Sequence, residues 1–292
     1  MKLRFAAVLL LPCGLAHAEP RITQNDFGGT GLLQTPTARM APAGELSVNA
    51  NRTEPYSRYS VSLQPLDWLE GSFRYTAITN RPYGSEALSG SQSYKDKAVD
   101  VKVRLWQESH WLPDVALGFR DIGGTGLFSS EFFVANKRYD NFDFSAGIAW
   151  GYLGNRGDID NPLGYVSDRF DTRPALEGTG DVNSGSYFRG RPSFFGGVSY
   201  QTPWDRLSLK LEFEGNDYKH EPKDNVIKQD SPINFGAVFK VADSVDVSAA
   251  WERGNTAMFG ITLRQSQVQD PRGIGPMGRS CFQGWVAAVL AA

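Results

Sequence analysis

The sequence predicts an all-β fold, an antiparallel transmembrane β-barrel of about twelve strands of the outer-membrane kind. Three observations predict it. From Glu45 to Gln265 apolar and polar residues alternate with a period of two, which separates the two faces of a strand. The alternating segments run about 8–11 residues, the length that crosses a bilayer at a tilt. Their connections are short at one end and include long polar loops at the other, as in barrels whose turns face the periplasm.

Composition agrees with that reading. The 292 residues include 18 Phe, 11 Tyr, 7 Trp and 31 Gly, with 41% hydrophobic and 21% charged, which excludes a disordered chain. There is no run of roughly 18 apolar residues, so a membrane-spanning helix is excluded, whereas an alternating barrel averages to a polar mean hydropathy. The net charge of −2 argues against nucleic acid as a partner.

The chain opens on an address. Lys2 and Arg4 form a positive region, Phe5 to Leu15 an apolar one, and Ala16-His17-Ala18 a cleavage site, so residues 1–18 read as a signal peptide cut between Ala18 and Glu19. A competing reading makes Cys13 a lipidated residue, but Pro12 is a poor substitute for the small residue expected before it. If Cys13 leaves, Cys281 is the one remaining cysteine, which excludes an intramolecular disulfide and a Cys-based metal site. Residues 19–44 read as a periplasmic N-terminal segment, 45–265 as the barrel domain and 266–292 as an atypical tail.

Within the barrel the alternation places strands near 45–53, 57–64, 68–79, 98–107, 113–121, 128–138, 142–152, 194–201, 206–215, 232–241, 245–253 and 256–265. The clearest sets Leu207, Leu209, Leu211 and Phe213 against Ser208, Lys210, Glu212 and Glu214. Another sets Val99, Val101, Val103 and Leu105 against Asp100, Lys102 and Arg104. A soluble periplasmic β-sandwich that binds partners also alternates, but its strands are usually shorter, about 5–6 residues. Aromatic residues such as Trp68, Trp106, Trp111, Tyr200, Trp204 and Trp251 gather near strand ends, as interfacial girdles do.

The stretch Asp26-Phe27-Gly28-Gly29-Thr30-Gly31-Leu32-Leu33-Gln34-Thr35-Pro36-Thr37-Ala38-Arg39-Met40, with Gly44-Glu45-Leu46 after it, resembles the start of the YjbH family. So does Gly118-Phe119-Arg120-Asp121-Ile122-Gly123-Gly124-Thr125-Gly126-Leu127-Phe128-Ser129-Ser130-Glu131, followed by Ala135-Asn136-Lys137-Arg138. The resemblance covers roughly residues 26–265 and implies an outer-membrane barrel acting with polysaccharide export proteins in exopolysaccharide or capsule production. It supplies no catalytic residues. Family members are considerably longer, and beyond Gln265 the alternation fails with no aromatic-terminated closing strand. The chain therefore reads as the N-terminal part of a longer protein, truncated or frame-shifted, with a barrel that further strands would complete.

The repeated Gly-Gly-Thr-Gly segments at 28–31 and 123–126 lack the Lys-Ser or Lys-Thr and the helix of a phosphate loop, so they read as tight turns at two equivalent corners. His220 has no Ser-centred elbow beside it, which disfavours an outer-membrane hydrolase acting on polysaccharide or lipid; His110 beside Trp111 reads as interfacial. The 153–193 loop carries Asp158, Asp160, Asp168, Asp171, Glu177 and Asp181 without calcium-loop spacing. No metal and no cofactor is expected.

The inward face is the functional lead. Arg58, Glu70, Arg74, Asp100, Lys102, Arg104, Arg120, Glu131, Lys210, Glu212 and Glu214 read as lumen-lining, together with Lys137, Lys240, Asp246, Glu252 and Arg264. A midplane Arg or Lys facing lipid costs about 2–4 kcal/mol, so these charges must face inward. They either guide a hydrated glycan or close the interior as a salt-bridged plug. The expectation is a non-enzymatic protein of the cell outer membrane whose partners are membrane lipid, polysaccharide export proteins and exopolysaccharide.

Overall fold

In the computed structural model, residues 20–174 and 184–266 are described. The signal peptide with Cys13, Ala18 and Glu19, the loop residues Glu177 and Asp181, and the tail with Cys281 lie outside the described residues.

Among the described residues twelve strands form: β1 (Glu45–Thr53), β2 (Tyr56–Leu66), β3 (Leu69–Pro82), β4 (Ser93–Trp106), β5 (Asp114–Arg120), β6 (Ser130–Tyr139), β7 (Phe142–Gly151), β8 (Ser193–Gln201), β9 (Leu207–Phe213), β10 (Ile233–Ala242), β11 (Val245–Glu252) and β12 (Thr256–Ser266). Each pairs antiparallel with its neighbours in sequence, and β1 pairs with β12 from Glu45↔Ser266 to Thr53↔Met258, closing the barrel. Further strands are therefore not needed for closure, against the expectation of an incomplete barrel, and closure also rules out a sandwich. β12 needs no aromatic end for this, because pairing with β1 satisfies its edge. Among the described residues no helix is long and apolar enough to cross a membrane.

Strand positions follow the alternation closely, with one exception. The β3–β4 hairpin runs past the predicted 79 and begins before the predicted 98. Its register shifts between Ile78 and Pro82, a bulge that breaks the period of two and hides the continuation.

Outward positions are apolar: Tyr59, Phe73, Val99, Phe144, Phe194, Leu209, Leu211, Phe235, Phe259 and Ile261 are all exposed. The connection after β7 covers part of this wall. Phe188 lies against Phe133 and Trp150, at 5.9 and 5.3 Å between ring centres, and Tyr187 against Phe119 at 5.3 Å. This cover leaves Trp150 only 5% exposed.

The cover corrects one predicted lumen residue. Glu131 pairs in register with Phe119 and Trp150, so it shares their outward face. It is buried because Arg173 reaches it at 2.7 Å and the amide of Phe188 donates to it at 2.9 Å. Lys137, on the same face of β6, pairs at 3.1 Å with Glu108 in the turn below. Local charge named these two residues, but strand parity decides their side.

The second glycine segment lies in the β5–β6 connection and rests on β4. A Cβ on Gly124 would stand 2.0 Å from the Lys97 carbonyl oxygen, so only glycine fits. Asp121 begins this loop at φ 54°, and its carboxylate accepts the Phe128 amide at 3.0 Å. Burial, with Asp96 nearby, pushes its carboxyl up to about 6 from 3.8. A raised folded value means that stability is full below the unfolded value and is lost as pH rises through about 6. Asp121→Asn keeps an acceptor and tolerates positive φ. It is expected to raise the temperature of heat-induced mobility shift at pH 7 and to leave it unchanged near pH 4.

Candidate functional site

The wall facing the lumen carries full charges, and charges without partners are costly to bury. Water would satisfy them in an open conduit. Here residues 20–44, expected as part of a periplasmic N-terminal segment, satisfy them instead. The chain enters at the short-turn end, where Arg21 pairs with Asp246 at 2.7 Å and Arg264 donates to the Ile22 carbonyl at 2.8 Å. It doubles back through two isolated bridges, Gln24 with Thr30 and Gly31 with Pro36, before joining β1.

Gly28-Gly29-Thr30-Gly31 makes the tight passage. Gly28 has φ +96°, and a Cβ there would stand 2.2 Å from the Ser60 hydroxyl on β2. The two glycine segments are thus corners of different kinds, one inside the lumen and one at its rim.

Several charged strand residues meet backbone groups of this plug. The Glu212 carboxylate accepts the amides of Leu33, Gln34 and Thr35 at 2.9, 2.9 and 3.2 Å, and the Thr35 hydroxyl at 2.9 Å. Asn234 donates to it from β10 at 2.9 Å. Lys210, two residues earlier on the same face, donates to the carbonyls of Gly31 and Leu32 at 2.9 and 2.6 Å. Glu70 accepts the Thr30 amide at 3.1 Å, while Lys102 donates to the Arg39 carbonyl at 3.0 Å and pairs with Glu70 at 3.2 Å. Arg120 donates to the Gln34 carbonyl at 2.9 Å. These are charge-assisted bonds among buried groups, the strong class.

Three guanidiniums enclose the Phe27 ring, with Arg58, Arg74 and Arg120 at 4.5, 4.7 and 4.0 Å from its centre. Arg58 lies 3.5 Å from Asp26, whose carboxyl burial pushes up to about 6 against the pull of that cation. Arg74 pairs with Asp100 at 3.0 Å. Phe27 also packs with Tyr56, Ile78, Phe128 and Tyr152, and Ala38 and Met40 pack on Phe132, Val134 and Phe195.

Arg39 ties the returning leg to the wall. It reaches Asp143 through two nitrogens at 2.8 and 2.7 Å, Asp114 at 2.6 Å and Glu108 at 2.7 Å. Partial burial works against ionising Glu108, but the Arg39 hydrogen bond overrides it and holds the carboxyl below its ordinary value.

Of the predicted lumen residues, Arg58, Glu70, Arg74, Asp100, Lys102, Arg120, Lys210, Glu212 and Glu214 are inward and buried. Arg104 shares the inward face of β4 and is half-buried near the turn end. Asp246, Glu252 and Arg264 are inward as well, and Lys240 pairs with Asp243 in the turn. Missed were Arg39, Asp114, Asp143 and the whole plug. The available signal was an inward face too charged for the water a narrow barrel can hold.

One cavity between plug and wall, lined by Asn25, Phe27, Thr30, Glu70, Lys102 and Arg120, measures about 20 Å³. That is room for about one water, not for a sugar. His220 is exposed outside this region, and His110 meets the Trp111 ring edge-on at 4.5 Å. Asp160 pairs with Arg191 at 3.3 Å and Asp158 accepts the Phe194 amide at 3.1 Å, so these loop carboxylates hold the loop itself. Among the described residues, no group of three His, Cys, Asp or Glu could hold a metal.

Residues 23–277 match the family profile YjbH, described as exopolysaccharide biosynthesis protein. An Escherichia coli K12 protein, named uncharacterized lipoprotein YjbH, is 53% identical over 244 residues, 83% of this chain. The aligned part is 35% of that protein, so the chain spans about a third of its length. Solved structures similar to the chain include the NanC porin, 8% identical with a TM-score of 0.38, covering 76% of this chain and 100% of the porin. The KdgM porin, in complex with disordered oligogalacturonate, is also 8% identical with a TM-score of 0.38, covering 76% and 98%.

Proposed function

This chain belongs to the YjbH family, and from that premise we propose that it is a non-enzymatic outer-membrane component of exopolysaccharide production and export. One observation carries the reading: the barrel turns its apolar face outward and fills its lumen with residues 20–44. The outward face suits lipid, and the closed lumen suits an anchored component better than a standing pore. Lipid and polysaccharide export proteins are then its partners, and the polymer itself is met outside the lumen. The charged lumen residues hold the plug rather than line a path for sugar.

Deletion of the gene is expected to lower extracellular polymer several-fold, with recovery from the plasmid-borne full-length gene. The protein is expected in the outer-membrane fraction, with a gel mobility that differs between boiled and unboiled samples. Unchanged polymer after deletion would sink the export role. The hydrolase alternative is separated by His220→Ala, which is expected to leave polymer yield and chain length unchanged; a changed chain length would favour the enzyme.

A further inference from the structure

We infer that the loop-end mouth of the barrel carries a saccharide-binding platform built on Tyr83 and Tyr94. The inference rests on the exopolysaccharide reading and names where the polymer is met. Tyr94 lies opposite Ile78 on the inward face of β3 and β4, so it stands over the lumen and not against lipid. It packs on the buried group of Phe27, Tyr56, Ile78, Phe128 and Tyr152, which fixes its height and tilt. Tyr83, just beyond the end of β3, lies against it with ring centres 5.9 Å apart and planes 31° apart. Tyr83 is 58% exposed, and its amide donates to the Gln92 carbonyl at 2.8 Å, so the ring is held yet open.

A polar rim surrounds these rings. Lys223 places its ammonium 4.5 Å from the centre of the Tyr94 ring. Lys223 and Asp224 both have positive φ, 60° and 53°, a conformation uncommon for a lysine. The neighbours here are Asn225, whose amide exchanges hydrogen bonds with Asn80 at 2.9 and 3.0 Å, and Arg81, which donates to the Asp224 carbonyl. The loop thus points a cation at an aromatic step, beside the mutually bonded amides of Asn80 and Asn225. A pyranose ring presents an apolar C–H face bordered by hydroxyls. It matches a ring platform with a polar edge, as apolar bodies with polar tips do at other aromatic sites.

The test uses the full chain in detergent micelles, titrated calorimetrically with alginate, dextran, cellohexaose and chitohexaose. Binding of at least one is expected, weakened roughly tenfold or more by Tyr83→Ala and retained by Tyr83→Trp. Heat-modified gel mobility should be the same in all three proteins, since Tyr83 lies outside the packed interior. Equal affinity in Tyr83→Ala, or no binding to any of the four, overturns the platform. Tyr83-dependent binding together with normal polymer levels after gene deletion would overturn the export role alone.

Discussion

Glu212→Ala is expected to open the lumen. The carboxylate holds three consecutive amides and a hydroxyl of the plug, together with Asn234 of the wall. Removing it leaves those donors without acceptors in a space too small for water to replace them all. Each buried donor left unsatisfied costs about 1–3 kcal/mol, and partial entry of water brings the total to about 3–5 kcal/mol. That is a large fraction of the roughly 5–15 kcal/mol by which a native protein is typically stable. In planar bilayers the wild-type protein should show almost no current, and the variant discrete openings. Glu212→Gln keeps one acceptor oxygen and should fall between them. A variant as silent as the wild type, with an unchanged temperature of mobility shift, would mean that the plug does not depend on this residue.

Arg39→Ala should free the other end of the plug. The guanidinium faces Asp143, Asp114 and Glu108 at once, and its removal takes that cation from Asp143 and Asp114 and leaves Glu108 with Lys137. Breaking a buried ion pair from one side costs about 3–5 kcal/mol, because the partner charge stays behind. Arg39→Lys should recover only part, since a point-like ammonium cannot grip both Asp143 oxygens while reaching Asp114. Limited proteolysis in detergent is the direct measure. Cleavage between residues 20 and 44 should be at least about tenfold faster in Arg39→Ala than in wild type, following the population of the open form. Equal resistance would place the anchoring of the plug elsewhere.

Much of this architecture was readable from residue order. The alternation through Leu207–Glu214 reports which side chains share a face, because a strand places neighbours on opposite sides whatever surrounds it. Eleven of the sixteen predicted lumen residues are inward and buried, and Arg104 is inward at the rim. Glu131 escaped because its burial comes from Arg173 and Phe188, about 40–60 positions along the chain, and no local pattern reports such a contact.

The strand count, the two faces and the charged interior therefore follow from the sequence, since each depends on a period that the backbone imposes locally. Closure of β12 on β1 and the filling of the lumen by residues 20–44 belong to the tertiary structure. Both join segments far apart in the chain. The plug has no period of its own, and its amides and carbonyls, common to every peptide, become specific only where Glu70, Lys102, Lys210 and Glu212 are brought around them. An inward charge says that it needs a partner. Whether water, sugar or the protein's own chain supplies that partner is decided by what the closed barrel has room to hold.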